Sequence, residues 1–222
     1  MDLMAMLTHV DHTLLKPEAT RPDIQKLCEE AAKYHCASVC IHPCYIPYAR
    51  EVLKGRVPIC TVIGFPLGAM TIDAKTYEAQ NAVILGADEI DMVINIGALK
   101  EKRFDYVEGE IRTIKKAIGS HVLKVIVETC LLTDEEKALM CRIVADAGAD
   151  YIKTSTGFST GGATPHDVEL FARETKGRIR IKAAGGIRCV EDMERFLALG
   201  ADRLGSSSAV RLVREELKKA GV

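Results

Sequence analysis

Short apolar runs rich in β-branched residues alternate along the chain with longer stretches whose apolar positions return every three or four residues. The runs predict strands over residues 9–14, 37–41, 58–63, 88–95, 122–128, 149–154, 179–184 and 202–205. The stretches between them predict helices. The clearest is TDEEKALMCRIVADAG (133–148), where Thr133 and Glu136 have the spacing of a capping box and Gly148 supplies the stop. RPDIQKLCEEAAKYH (21–35) and TYEAQNAVILG (76–86) show the same periodicity. A small motif recurs: LGADEIDMVI (85–94), AGADYIKTS (147–155) and LGADRLGSS (199–207) each close a helix on glycine and open a strand through Ala-Asp. Their glycines, Gly86, Gly148 and Gly200, lie 62 and 52 residues apart, about two strand–helix units each time. Eight strands alternating with helices predict an α/β chain folded as a single (β/α)8 TIM barrel over residues 1–222. An open doubly wound sheet is the alternative; the lack of G-x-G-x-x-G after the first strand argues against its dinucleotide-binding form.

In a barrel strand, successive side chains point alternately to the interior and to the surrounding helices. Ile90, Met92 and Ile94 then face the helices, and Glu89, Asp91 and Val93 the interior. Leu123, Val125 and Val127 face out, leaving Lys124, Ile126 and Glu128 inside. Ile152 and Ile181 face out, leaving Tyr151, Lys153, Arg180 and Lys182 inside. Charged groups are costly to bury alone, so this interior set needs a reason. Structural ion pairs account for any one member. They account less well for Lys153 and Lys182, which come late in consecutive strands, toward the end of the barrel where TIM-barrel enzymes carry their chemistry. Lys124 comes early in its strand and reads as an ion-pair member of the core.

Neighbouring parallel strands lie about 4.8 Å apart. Two inward ammonium groups ~4 Å apart, at an effective dielectric of ~20, repel by about 4 kcal/mol, roughly a thousand-fold in favour of losing one proton. A free amine adds to carbonyls and forms Schiff bases. One lysine is then a nucleophile, the other keeps it unprotonated, and Asp91 moves protons. Three Gly/Ser-rich loops point to the rest of the substrate: TSTGFSTGGAT (154–164), AAGGIR (183–188) and GSSSAV (205–210). Glycine lets main-chain N–H groups approach an anion, and the loops after strands seven and eight are the usual phosphate site of this fold.

A formal net charge of −1 gives no electrostatic case for nucleic acid or an anionic membrane as partner. No stretch approaches the ~20 apolar residues of a membrane span, and MDLMAMLTHVDH lacks the basic start and apolar run of a signal peptide. A cytoplasmic location is therefore expected. Most of the eight cysteines sit in apolar, periodic segments. HCASVCIHPC (35–44) stands apart with its C-x3-C-x3-C spacing and two histidines. Zinc sites use C-x2-C or C-x4-C with a second pair further on; none follows, and the strand ASVCI would splay the three thiols. No metal and no cofactor is expected. A metal protein built on that cluster, a non-catalytic phosphosugar-binding protein and a different Schiff-base aldolase are the competing readings.

Taken in order, VDHTLLKP, SVCIHP, VIGFPLG, EIDMVINIG, LKVIVET, YIKTSTGFSTGGAT, IKAAGGIR and GSSSAVRLV resemble the motifs of the deoxyribose-phosphate aldolase family, over nearly the whole chain. The resemblance implies a (β/α)8 barrel and a metal-independent class I aldehyde-lyase. Such an enzyme reversibly cleaves 2-deoxy-D-ribose 5-phosphate to D-glyceraldehyde 3-phosphate and acetaldehyde, in deoxyribose phosphate catabolism. It implies Lys153 as the Schiff-base lysine, Lys182 as the lysine that perturbs it and Asp91 as the proton-relay acid. Gly157, Gly185, Gly186, Ser207 and Ser208 match phosphate-contacting positions. Asp11, Thr13, Cys40 and Thr156 match residues around the substrate. A homo-oligomer, dimer or tetramer, is expected. Some family members end in a tail whose terminal tyrosine assists proton transfer; this chain ends in KKAGV, so enamine protonation is expected to be slower or to rest on Asp91 and water.

Overall fold

Eight parallel strands close on themselves in sequence order in the computed structural model, which describes residues 2–219 and 221. The strands are β1 (Val10–Leu14), β2 (Ser38–Ile41), β3 (Ile59–Ile63), β4 (Glu89–Val93), β5 (Val122–Ile126), β6 (Tyr151–Lys153), β7 (Arg180–Ala184) and β8 (Arg203–Ser206). β8 pairs back with β1 through Val10, Asp11 and His12, which makes the sheet a (β/α)8 barrel and excludes the open sheet. All eight expected strands are present, their ends moved by at most two residues. Positions 220 and 222, part of the chain end on which the missing tyrosine was argued, lie outside the described residues.

The helices are α1 (Leu3–Leu7), α2 (Arg21–Lys33), α3 (Ile46–Leu53), α4 (Ile72–Leu85), α5 (Ile96–Lys100), α6 (Phe104–Ile118), α7 (Asp134–Asp146), α8 (Pro165–Thr175), α9 (Val190–Ala198) and α10 (Ala209–Lys219). The expected capping box opens α7: Thr133 and Glu136 bond each other's main-chain N–H. The side chains that alternation turns outward, from Ile90 and Met92 through Val125, Ile152 and Ile181, all join the large core between barrel and helices.

The Gly-Ala-Asp repeat has a physical purpose. Gly86, Gly148 and Gly200 take φ of 105°, 83° and 106°, a left-handed turn that favours glycine. Asp88, Asp150 and Asp202 then each clasp the preceding strand. Their N–H groups donate to the carbonyls of Ile59, Leu123 and Ile181, and their carboxylates accept the N–H of those same residues at 2.8 Å. Each clasp fixes the register of one strand pair, β3 with β4, β5 with β6 and β7 with β8. At the corresponding place before β2, Ala37 donates to Val10 but has no carboxylate to return the bond.

One fully buried ion pair lies outside the barrel. Lys75 of α4 bonds Glu110 of α6 at 2.7 Å and the carbonyl of Val93 at 2.8 Å, and Glu110 accepts the N–H of Asn95. The pair satisfies the main chain as it leaves β4, the strand that carries Asp91. The missing side chain of Gly64 leaves room for the Lys75 stem, 2.7 Å from where a Cβ would stand.

Two interior expectations change. Arg180 begins β7 at the floor of the barrel and is exposed, its guanidinium 4.2 Å over the Tyr151 ring. Glu128 lies beyond β5 rather than within it, in a left-handed conformation.

Candidate active site

A cavity of about 380 Å³ opens at the C-terminal ends of the strands. Lys153 stands in its wall with Thr13, Thr156, Gly157, Gly185, Gly186 and Ser207. A larger hollow, about 470 Å³, lies at the opposite end near Arg50, Pro58 and Val122, away from the lysine pair.

Lys153 and Lys182 are direct partners across β6 and β7, at the same height. Alternation alone sets the two ammonium groups face to face. In the structure the Asp91 carboxylate joins them: its Oδ2 accepts from Lys153 Nζ and Lys182 Nζ, each at 2.7 Å. Its Oδ1 accepts from Lys124 Nζ at 2.9 Å and Cys60 Sγ at 3.1 Å. Lys182 also contacts Asp11 at 2.5 Å, Asp11 accepts from Arg203 at 2.5 Å and Ser38 at 2.7 Å, and Lys124 contacts Glu89 at 2.6 Å. Gly205 leaves space for the Lys182 stem; a Cβ there would stand 3.1 Å from Lys182 Cε.

Charge counting within this network leaves one cation in excess, and position singles out Lys153. Asp11, Glu89 and Asp91 oppose Lys124, Lys182 and Arg203, three carboxylates against three cations. Burial opposes the charge on each of the five groups Asp11, Asp91, Lys124, Lys182 and Arg203. Asp11 and Asp91 are nevertheless held below the usual carboxylate range by the cations around them. Lys124, Lys182 and Arg203 are held above their ordinary values by the carboxylates. Lys153 is the fourth cation, the surplus one, and it is also the member on the cavity wall. Losing its proton leaves a balanced network.

The side of the cavity lined by Gly185 and Gly186 is built by close main-chain packing. A Cβ on Gly162 would stand 2.4 Å from the carbonyl of Gly185, so the loop after β6 lies directly on the loop after β7. Ala163 N–H donates to the carbonyls of Ala184 and Gly185 and holds that contact. Ser206 Oγ accepts the N–H groups of Ser208 and Ala209, which caps α10 and commits two of its first donors.

The matched substrate positions therefore divide. Thr13, Thr156, Gly157, Gly185, Gly186 and Ser207 line the cavity. Asp11 and Cys40 are fully buried beneath it, Asp11 because its carboxylate is drawn down onto Lys182 and Arg203. Ser208 turns away, its hydroxyl toward the carbonyl of Ile187. The thiols of HCASVCIHPC do separate: Cys36 joins the outer core, Cys40 faces the barrel interior and Cys44 is exposed. Cys40, Cys60 and Asp91 bring potential ligand atoms within 4.8 Å of one another, as do Asp11, Cys60 and Glu89. Ammonium groups already occupy these carboxylates, so the cationic place in each set is filled by lysine.

Residues that the sequence reading passed over complete the site. Arg203 and Gly205 follow from alternation in β8, had it been applied there. Lys16 has no such signal; it lies after β1, and among the described residues it and Lys153 are the two charged members of the cavity wall.

The family model for DeoC/LacD family aldolases matches residues 5–207. The chain belongs to this family. It is 53% identical over 211 residues to the deoxyribose-phosphate aldolase of Clostridium botulinum (strain Alaska E43), covering 95% of this chain and 96% of that one. A solved structure described as "QR15, an Aldolase" superposes with a TM-score of 0.93 at 39% identity, covering 97% of each chain. The tetrameric deoxyribose phosphate aldolase of Aeropyrum pernix superposes with a TM-score of 0.88 at 34% identity, covering 100% of this chain and 94% of that one. The DeoC/LacD assignment makes the chain an aldolase, an aldehyde-lyase, and places its cavity in a fold shared with solved aldolases.

Proposed function

We propose that this aldolase cleaves 2-deoxy-D-ribose 5-phosphate reversibly to D-glyceraldehyde 3-phosphate and acetaldehyde, through a Schiff base on Lys153. The observation that carries the reading is the place of Lys153: among the described residues it is the one cation of the interior network that reaches the cavity, in a network that holds one cation more than it has carboxylates.

The mechanism follows from that geometry. The Lys153 amine adds to the C1 aldehyde, and loss of water gives the protonated imine. Lys182, held cationic by Asp11 and Asp91, stabilises the oxygen that develops negative charge during addition. Once Lys153 is bonded to substrate, its contact with Asp91 Oδ2 is released. That oxygen can then hold a water that takes the proton of the C3 hydroxyl. The C2–C3 bond breaks toward the imine, glyceraldehyde 3-phosphate leaves, and the enamine is protonated at carbon and hydrolysed. No step calls for a metal. Fixing the phosphate far from the breaking bond sets the reacting pose.

The test is borohydride reduction in the presence of acetaldehyde, followed by peptide mass spectrometry. An ethyl group is expected on Lys153; its appearance on Lys124 or Lys182 instead refutes the assignment.

A second expectation concerns the phosphate. Ser207 is exposed on the cavity wall beside Gly186. A carboxylate placed there, about 8 Å from the phosphate at an effective dielectric of ~20, is worth ~2 kcal/mol, roughly 30-fold. Ser207→Asp should therefore weaken kcat/KM for deoxyribose 5-phosphate by about that factor and leave unphosphorylated deoxyribose little changed. Equal losses on both substrates would remove Ser207 from the phosphate site.

The A. pernix relative is tetrameric by its description, and we infer that this chain too works as an assembly of copies, in the cytoplasm. Among the described residues no helix is long and apolar enough to cross a membrane.

A further inference from the structure

Glu128 is the one buried member of a small class. Among the described residues, five other than glycine have positive φ: His35, Lys54, Lys102, Glu128 and Lys176. The other four are exposed and follow the ends of helices, where a left-handed residue is the ordinary way to stop. Glu128 is 3% exposed, has φ 58° and ψ 67°, and sits where the chain leaves β5 at the barrel mouth. That conformation is unfavourable for a residue with a Cβ and persists where surrounding contacts enforce it.

The contacts lead to Thr156. Glu128 Oε2 accepts from Thr156 Oγ1 at 2.5 Å, and Oε1 accepts from Thr156 N at 3.2 Å. Thr156 Oγ1 in turn accepts the N–H of Phe158 at 3.0 Å. A hydroxyl has one proton and two lone pairs, and a carboxylate offers no proton. The single Thr156 proton is thus committed to Glu128, and one lone pair to Phe158. What Thr156 can still present to the cavity it lines is one acceptor.

We propose that Glu128 is a specificity-determining positioning residue: by holding the Thr156 proton, it makes Thr156 Oγ1 an acceptor-only group that selects a phosphorylated aldehyde bearing a donating hydroxyl. The inference rests on the function proposed above. Thr156 lies three residues after Lys153 and next to Gly157, between the imine-forming amine and the glycine loops. The group that reaches it belongs to the phosphorylated half of the substrate, and D-glyceraldehyde 3-phosphate has a single hydroxyl. An analogue without that hydroxyl leaves the acceptor unpaired.

The experiment is condensation of acetaldehyde with D-glyceraldehyde 3-phosphate and, separately, with 3-oxopropyl phosphate, which lacks the hydroxyl. It compares wild type, Glu128→Gln and Glu128→Gly. Wild type should prefer the hydroxylated aldehyde by at least ~10-fold in kcat/KM. Glutamine can donate as well as accept, so Glu128→Gln should bring that ratio close to one, while acetaldehyde is still trapped at Lys153. Glu128→Gly suits the left-handed backbone and so keeps the fold, yet it should lose the same preference. A ratio unchanged in both variants overturns the inference and leaves the proposed function standing. Failure of wild type to condense acetaldehyde with either phosphate overturns the proposed function, and the inference with it.

Discussion

Replacing Lys153 with leucine is expected to remove cleavage of 2-deoxyribose 5-phosphate by roughly 10⁴-fold or more, the scale of losing a covalent nucleophile. Trapping by borohydride and acetaldehyde should vanish with it. The fold should survive. Removing a buried charge is usually damaging because a partner is left alone. Here the partner is Asp91, which keeps Lys124 and Lys182, and the interior goes from four cations against three carboxylates to three against three. The thermal midpoint of Lys153→Leu should therefore match or exceed that of wild type. Activity assays and a melting curve on one preparation check both halves. Retained turnover, or a protein that unfolds well below wild type, would show that Lys153 is a structural ion-pair member.

Lys182→Leu makes the complementary prediction, because it removes the cation that Asp11 and Asp91 share. The variant holds Lys124, Arg203 and Lys153 against Asp11, Glu89 and Asp91, so the proton on Lys153 becomes the one that balances the charge. The ~4 kcal/mol repulsion between neighbouring ammonium groups is also gone. Turnover at neutral pH should fall about 1,000-fold, and part of it should return at alkaline pH as Lys153 loses its proton. Lys182→Arg keeps the charge but displaces it and adds bulk, so an intermediate loss is expected. A loss of similar size at every pH would assign Lys182 to proton donation or to holding the oxyanion.

Much of this site could be read from alternation within strands. Inward and outward faces on β4, β5, β6 and β7 follow from single-residue steps, and these placed Asp91, Lys124, Lys153 and Lys182 in one interior. Alternation gives direction and says little about which groups meet across the barrel. Asp11 and Arg203 touch from opposite ends of the chain, and their contact depends on closure between β1 and β8. That closure is why Asp11 lies under the cavity instead of on its wall. Lys75 escaped for another reason: it faces inward from α4, where helical periodicity marks buried positions but expects them apolar, and Glu110 answers it from a different helix. The left-handed turn at Glu128 was hidden because the apolar run LKVIVE reads as a continuous strand. Capping of α10 by Ser206 was hidden because three serines in a row leave the choice of cap open.

The central claim is that the charge of Lys182, shared with Lys153 through Asp91, keeps the Lys153 amine free. The pH dependence of borohydride trapping of acetaldehyde at Lys153, measured in wild type and in Lys182→Leu, tests it without relying on later steps of turnover. The midpoint of the trapping rate should move alkaline in Lys182→Leu relative to wild type. Two curves with the same midpoint, differing only in height, would contradict the claim.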